Sequence, residues 1–372
     1  MDRGRICFEK DSPPAARFRT GVSLHSHTLC SHESLSFIDR LGRTIKPVRI
    51  ALEHLERSYE RINGQALDLN RTYWTPPLAP RDAWQLEYDH VARFGLAPLV
   101  SLTDHDGIEA PITLRILDTF RDLPVSVEWT VPFKETFFHL GVHNLPPDGG
   151  VRNMRELAEF TAAPVPARLP ALMAALASNP ATLIVFNHPC WDENIIGRER
   201  YRSYVAEFCR RYDRWLHAVE LNGLRPWKEN QDVIALGAQT GKPVISGGDR
   251  HGLEPNTVLN LTNASTFSEF VQEIRAGTSE VFVTKQYFEP LSVRVLQSVQ
   301  DMLVDYEAHG RGWVRWSDRL FFRCTDGEVR QLSHLWPRTP LAIRFCEAGV
   351  RAVRHPGLRV AFRAFARPQT AT

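Results

Sequence analysis

An α/β fold with a mainly parallel sheet is predicted by two observations. Short apolar runs alternate with helical patterns, and side chains that metals favour recur where those runs end. An apolar strand, then His or a carboxylate, then Gly, Pro or Asp, repeated many times, is how a barrel-like α/β protein builds a metal site at one end of its sheet. Length agrees, since 372 residues suffice for one large α/β barrel with an extension, or for two domains.

The strand candidates are Val22–Leu24, Leu99–Leu102, Val125–Val127, Phe137–Val142, Leu183–Phe186, Ala218–Leu221 and Val244–Ser246. Each is short and rich in Val, Leu, Ile or Phe, as parallel strands covered on both faces are. Helical patterns stand between many of them. Arg81–Phe94 stops at Gly95 before the Leu99 run, and Arg200–Trp215 precedes the Ala218 run. Asn230–Thr240 stops at Gly241 before the Val244 run. Two segments break the rhythm. Residues 33–80 are long, charged and irregular, with a helical stretch at Val48–Ile62, and read as a lid, binding loop or subdomain. The tail, 290–372, opens with the amphipathic stretch Leu291–Tyr306 and reads as a mostly helical extension of unassigned role. The division expected is therefore a catalytic unit at 1–289, carrying an insertion at 33–80, and an extension at 290–372. No internal repeat or low-complexity tract is found.

A net charge of +2 argues against a surface built to coat nucleic acid. Met1 to Lys10 is charged without an apolar core, so no secretory signal is expected, and no run approaches the roughly 20 apolar residues of a membrane span. Six cysteines without a CxxC pair read as free thiols in a reducing, cytoplasmic setting. Cys30 and Cys190 neighbour the metal-favouring residues, but the His and carboxylate set suffices without them.

His25 and His27, in Val22-Ser-Leu-His-Ser-His-Thr, point to one side of an extended chain and can grip one cation. His32 follows closely. His105, in Leu102-Thr-Asp-His-Asp-Gly, sits where the chain leaves a strand. Asp104 and Asp106 beside it can bind metal, orient His105, or cap the next segment. Glu128 ends a buried run, where a lone carboxylate needs a partner. His139 lies in a Phe-rich strand, with His143 as its rival. His188 stands between an apolar run and Pro189. Asp249 and His251, in Ser246-Gly-Gly-Asp-Arg-His-Gly, follow two glycines that allow close backbone approach. Imidazoles and carboxylates without thiolate suit Zn, Mn or Fe rather than Mg or Ca.

His-x-His-Thr, then Leu-Thr-Asp-His-Asp, Glu, His, Asn-His-Pro and Gly-Asp-x-His, in that order across roughly residues 19–287, resemble the PHP (polymerase and histidinol phosphatase) family. The resemblance implies a distorted seven-stranded (β/α) barrel, in keeping with the seven runs, and two or three metal ions. It places one metal on His25, His27, Glu128 and Asp249. A second would lie on Glu128, His139 and His188, and a third on His32, His105 and His251. Glu220 and Asn222 would stand behind the ligands or touch substrate. This chain has Ser31-His32-Glu33 where the family often has Ser-Asp-Gly, which shifts metal preference toward Zn. Its 33–80 segment is longer than usual, and its tail has no counterpart in compact members.

The activity implied is metal-dependent phosphoester hydrolysis through a hydroxide bridging two metals. Leaving-group protonation would come from metal-bound water, or from Asp104 or Asp106. Arg198, Arg200, Arg225, Lys228 and above all Arg250 would clamp phosphate. Expected substrates are a nucleotide or short nucleic acid, with a histidinol-phosphate-like small molecule as the alternative, and no membrane partner. A non-catalytic, metal-stabilised module is the reading from a different class. Oligomeric state is left open.

Overall fold

A computed structural model describes residues 5–353 except 12, 36–45, 307–313, 325 and 337. Parts of the insertion and of the tail therefore lie outside the described residues. In chain order the strands are β1 (Ile6–Phe8), β2 (Thr20–Ser23), β3 (Glu33–Ser34), β4 (Thr72–Trp74), β5 (Ala97–Val100), β6 (Val125–Phe133) and β7 (Thr136–Leu145). They continue with β8 (Leu183–Phe186), β9 (Ala218–Asn222), β10 (Val244–Gly247), β11 (Val258–Thr262), β12 (Glu280–Val283), β13 (Leu320–Arg323) and β14 (Val329–Gln331).

All seven predicted runs fall on strands, but the barrel does not form. Among the described residues the strands make three sheets, in the orders β1-β12-β11-β2-β5, β10-β9-β8-β7-β6 and β14-β13-β4-β3, and none closes on itself. Where the two five-stranded sheets approach, isolated bridges among the described residues join them, Ser26 with Arg250 and His105 with Glu128. The physical reason lies in the ligand-bearing ends. His25, His188 and Asp249 take left-handed backbone conformations, with φ of 64°, 28° and 56°, which turn the chain out of the ladder.

The sheets are also mixed rather than mainly parallel. β8, β9 and β10 run parallel, but β7 is antiparallel to both β6 and β8. Only Lys134 and Glu135 separate β6 from β7, too few residues for a parallel crossover. Lys134 takes the positive φ of 55° that such a turn needs, without the Asn-Gly or Gly that announces a hairpin in sequence. β11 is antiparallel to β2 and β12, and neither β11 nor β12 was among the predicted runs.

Helices cover the outer faces. Arg198–Tyr212 buries Tyr201, Val205, Phe208 and Tyr212, one stripe at helical spacing. Phe208 meets Phe138 and Phe186 at ring-centroid distances of 5.0 and 5.2 Å. Full burial of such rings contributes about 1.5–3 kcal/mol each. The predicted stop at Gly241 is a left-handed cap, φ 68°, on helix Trp227–Thr240.

The described tail is helical at Leu291–Met302, Leu332–Leu335 and Leu341–Val353, but it also carries strands. β13 and β14 come from it, and β3 and β4 come from the insertion, so the third sheet is built jointly. Tyr59 of the insertion packs with Trp316, Phe322, Leu335, Trp336 and Ile343 of the tail. Arg319 pins the two together. Its guanidinium donates to the carbonyls of Thr75 at 2.9 Å, Met302 at 2.8 Å and Val304 at 2.9 Å. Each buried charged donor of this kind contributes about 1.5–3 kcal/mol. No described helix is long and apolar enough to cross a membrane.

Candidate metal centre

The strand ends bring most of the predicted ligands to one place. His25 Nε2 lies 2.9 Å from Glu128 Oε2 and 3.6 Å from Asp249 Oδ1. His27 Nε2 lies 3.3 and 3.5 Å from the same two oxygens. Ligand atoms held at about 2.0–2.2 Å around a tetrahedral ion stand roughly 3.3–3.6 Å apart, and all but the His25–Glu128 separation of 2.9 Å fall at that spacing. His25 Nε2, His27 Nε2 and Glu128 Oε2 are buried and have no hydrogen-bond partner among the described residues. Orphaned polar atoms cost about 1–3 kcal/mol each, and three converging on one point fit a cation.

Glu128 divides its carboxylate. Oε2 faces the quartet, while Oε1 lies 3.2 Å from His188 Nε2 and 3.5 Å from His139 Nδ1. Those two nitrogens are 3.4 Å apart, which makes a second ligand triangle. A third group joins His27, Glu33, His105 and His251. Glu33 Oε2 lies 3.2 Å from His105 Nε2 and 3.1 Å from His251 Nε2.

His32 is outside all three groups. Its ring lies against Tyr73, centroids 4.2 Å apart. Neighbours in an extended chain face opposite ways, and Glu33, which opens β3 opposite Trp74, takes the inward side. The residue-by-residue reading passed over Glu33. Its signal was a carboxylate adjacent to the expected ligand in an extended stretch.

Surrounding groups fix the ligands. His25 Nδ1 bonds Glu220 Oε1 at 2.8 Å, which leaves Nε2 for the centre. The same carboxylate accepts from the His188 backbone N–H at 3.1 Å and from Asn222 Nδ2 at 3.1 Å. Asn222 also reaches Asp249 Oδ2 at 3.3 Å, and Asn187 donates to Glu128 Oε1 at 2.9 Å. His251 Nδ1 meets the Asp249 carbonyl at 2.9 Å. The two glycines before Asp249 are needed for space. A Cβ on Gly247 would stand 1.9 Å from Glu220, and one on Gly248 1.7 Å from Asn256.

The proposed acids and clamp sit differently from one another. Asp104 is wholly buried, and its two oxygens accept from Thr28 N–H at 2.6 Å and Thr28 Oγ1 at 2.7 Å, which holds the turn after His27. Arg250 is turned inward, 3% exposed. It pairs with Glu87 at 2.8 Å and donates to the carbonyls of Gly252 and His27 at 2.9 and 3.0 Å. It braces the ligand loop. Glu87, a carboxylate on the apolar stripe of helix Pro80–Ala92, also takes Ser23 Oγ at 2.8 Å. Asp106 is half-buried. One oxygen accepts the Thr130 N–H at 2.8 Å, and burial pushes its carboxyl up to about 6. Of the other clamp candidates, Arg198 pairs with Asp232 and Arg200 with Glu135 at the surface. Arg225 lies over Trp191 at 4.1 Å, and that indole lies edge-on to His188 at 5.3 Å.

Charges within the centre are strongly coupled. Burial opposes charge on His25, yet Glu128, Glu220 and Asp249 raise it well above an ordinary histidine. His105 is raised likewise, against burial, by Glu33 and Glu128. Burial would raise Glu128, but His25, His105 and His139 hold it well below the usual carboxylate range. The donors are thus held as an ion-paired net of the kind divalent cations displace.

No family model and no curated protein sequence matches the chain. Among solved structures, it is similar to an amidohydrolase from Chromobacterium violaceum that holds sulfate and no metal. The TM-score there is 0.32 at 14% identity, over 47% of this chain and 83% of that one. It is also similar to a presumed metal-dependent phosphoesterase from Bifidobacterium adolescentis. The TM-score there is 0.34 at 15% identity, over 54% of this chain and 92% of that one. At these values neither match assigns a fold or a reaction to this chain, and the functional reading rests on the centre itself.

Proposed function

We propose that this chain is a metal-dependent phosphoesterase of the PHP kind. One observation carries the metal assignment: three buried, unpartnered ligand atoms converge with Asp249 at coordination spacing, and Glu128 extends the set to a second group. His25, His27, Glu128 and Asp249 would hold one cation. Glu128, His139 and His188 would hold another, and Glu33, His105 and His251, next to His27, a third. Zn, Mn or Fe suits these donors. Bound cations would lower the pKa of a water and neutralise charge on phosphoryl oxygens.

The chain's own residues do the rest. Glu220 and the Asp249 carbonyl present the correct nitrogens of His25 and His251. Asn187 and Asn222 hold the carboxylates, and the Glu87–Arg250 pair keeps the loop of Asp249 and His251 in place. Left-handed backbone at His25, His188 and Asp249 costs about 1–3 kcal/mol each, strain that functional sites retain. Water attacks phosphorus in line, the P–O bond to the alcohol breaks, and Asp106 supplies the proton to the departing oxygen. Arg225 replaces Arg250 as the phosphate clamp, since it alone of the candidates stacks on a residue that touches a ligand. A nucleotide or short oligonucleotide is the substrate class of this reading, with a histidinol-phosphate-like small molecule as the alternative.

The test is metal content together with hydrolysis of p-nitrophenyl phosphate, bis-p-nitrophenyl phosphate and a 5′-phosphorylated oligonucleotide, with Zn²⁺ or Mn²⁺ supplied. Two or three bound ions and phosphate release are expected. Protein that binds metal but turns over none of these would leave a metal-stabilised module, and protein that binds none would end the metal reading.

A further inference from the structure

A cavity of about 210 Å³ lies behind the candidate metal centre, between the loop that carries Asp249 and His251 and the tail helix Leu291–Met302. Arg294 of that helix forms part of its wall and is 8% exposed. One guanidinium nitrogen, Nη1, is tethered to the Gly223 carbonyl and reaches Thr257 Oγ1 at 3.5 Å. The guanidinium lies over the Tyr287 ring at 4.7 Å, which fixes its plane. Its Nε and Nη2 have no hydrogen-bond partner among the described residues, and Arg294 makes no ion pair among them. Gln297 Oε1, one turn further along, is likewise without a partner.

A desolvated guanidinium held by one carbonyl and a distant hydroxyl is under-compensated, because buried charge is tolerated when it is paired. The free Nε–Nη2 edge is the fork that accepts a carboxylate or phosphate through two parallel hydrogen bonds. Of the acidic residues around the cavity, Asp301 is engaged at both oxygens, by the Leu253 N–H at 2.8 Å and by Gln297 Nε2 at 2.7 Å. Glu254 is exposed at the rim and takes Gln286 Nε2 at 3.1 Å. Glu289 lies near enough to favour the charged form of Arg294.

We propose that this cavity is a binding site for a small molecule bearing one oxyanion group, carboxylate or phosphate, held by Arg294. The site is separate from the ligand groups of the metal centre and does not rest on the phosphoesterase reading. It shares a wall with that centre, since His251 lines both.

The test is calorimetric titration of the full chain, metal content measured, with acetate and separately with inorganic phosphate. Arg294→Gln removes the fork. Ser298→Phe, at a half-buried position on the cavity wall, fills the space. The wild-type chain should bind at least one of the two probes, and whichever binds identifies the group. Both variants should lose one equivalent or weaken it roughly tenfold or more, while phosphate at the metal centre persists. If Arg294→Gln does not fold, Ser298→Phe decides. Absence of binding of both probes to the wild-type chain, or wild-type binding retained in the variants, would overturn the site. Because turnover is not read, failure of the phosphoesterase assay leaves the result interpretable.

Discussion

His139 and His143 lie four residues apart on β7, both buried, and they have opposite company. His139 faces Glu128 at 3.5 Å and His188 at 3.4 Å. His143 faces the Ser101 hydroxyl at 2.8 Å and makes no ion pair with a carboxylate among the described residues. A related division runs through the molecule, with His139 as its exception, since burial and the neighbouring His105 and His188 hold it well below an ordinary histidine despite Glu128. His25 and His188 are buried and His105 and His251 half-buried, but carboxylates outweigh burial and raise all four. His90 and His143 are pushed by burial down to about 3, and His217 to about 4. Burial alone does not mark a ligand. What marks it is a nitrogen aimed at a carboxylate oxygen shared with other imidazoles.

The strongest way to break this distinction is Glu128→Gln. The change keeps volume but removes the charge that serves two groups. Loss of at least two cations and of all metal-dependent turnover is expected, read by elemental analysis and phosphate release. A variant that keeps its full metal complement would reduce Glu128 to a core carboxylate. Next is the pair Glu33→Ala and His32→Ala. Glu33→Ala should lose one cation and His32→Ala none. The reverse result would restore His32 as the ligand and reject the inward placement of Glu33. A smaller effect is expected from Glu220→Gln, which keeps shape but weakens the bond that orients His25. Outer partners of this sort are worth roughly 10–100-fold in metal affinity or activity. An unchanged affinity would show that His25 is held by packing alone.

Much of this was legible in the sequence, and the failures share a cause. Short runs such as Leu183–Phe186 and Ala218–Leu221 announce strands because parallel strands covered on both faces are apolar throughout. Most of the ligands were legible because they follow such a run, although His139 lies within one and Glu33 follows none. What sequence could not convey is how the ends are joined. A left-handed His25 or Asp249 carries no compositional mark, so the break between sheets looks like a continuing barrel. A Lys-Glu turn hides a hairpin. The third sheet pairs Tyr73 with Phe321 across about two-thirds of the chain, beyond the reach of any local pattern. His32 and Glu33 were separated by facing alone, which reverses with a shift of one residue.

The core histidines supply the remaining test, in stability rather than activity. His90, His143 and His217 are held neutral in the folded chain, His217 by accepting the Ile184 N–H at 2.9 Å beside Arg275. Their folded pKa values of about 3 to 4 lie below the ordinary value of 6.5. The unfolded chain therefore takes up protons first as pH falls. Stability from these groups is complete above pH about 6.5 and declines as pH drops toward 4 and then 3. Each pH step over which only the unfolded chain protonates costs about 1.4 kcal/mol per group. His143→Gln should flatten part of that decline, read as melting temperature against pH, while cations stay bound. If His143→Gln instead releases a cation, His143 belongs with the ligands, and the contrast with His139 fails.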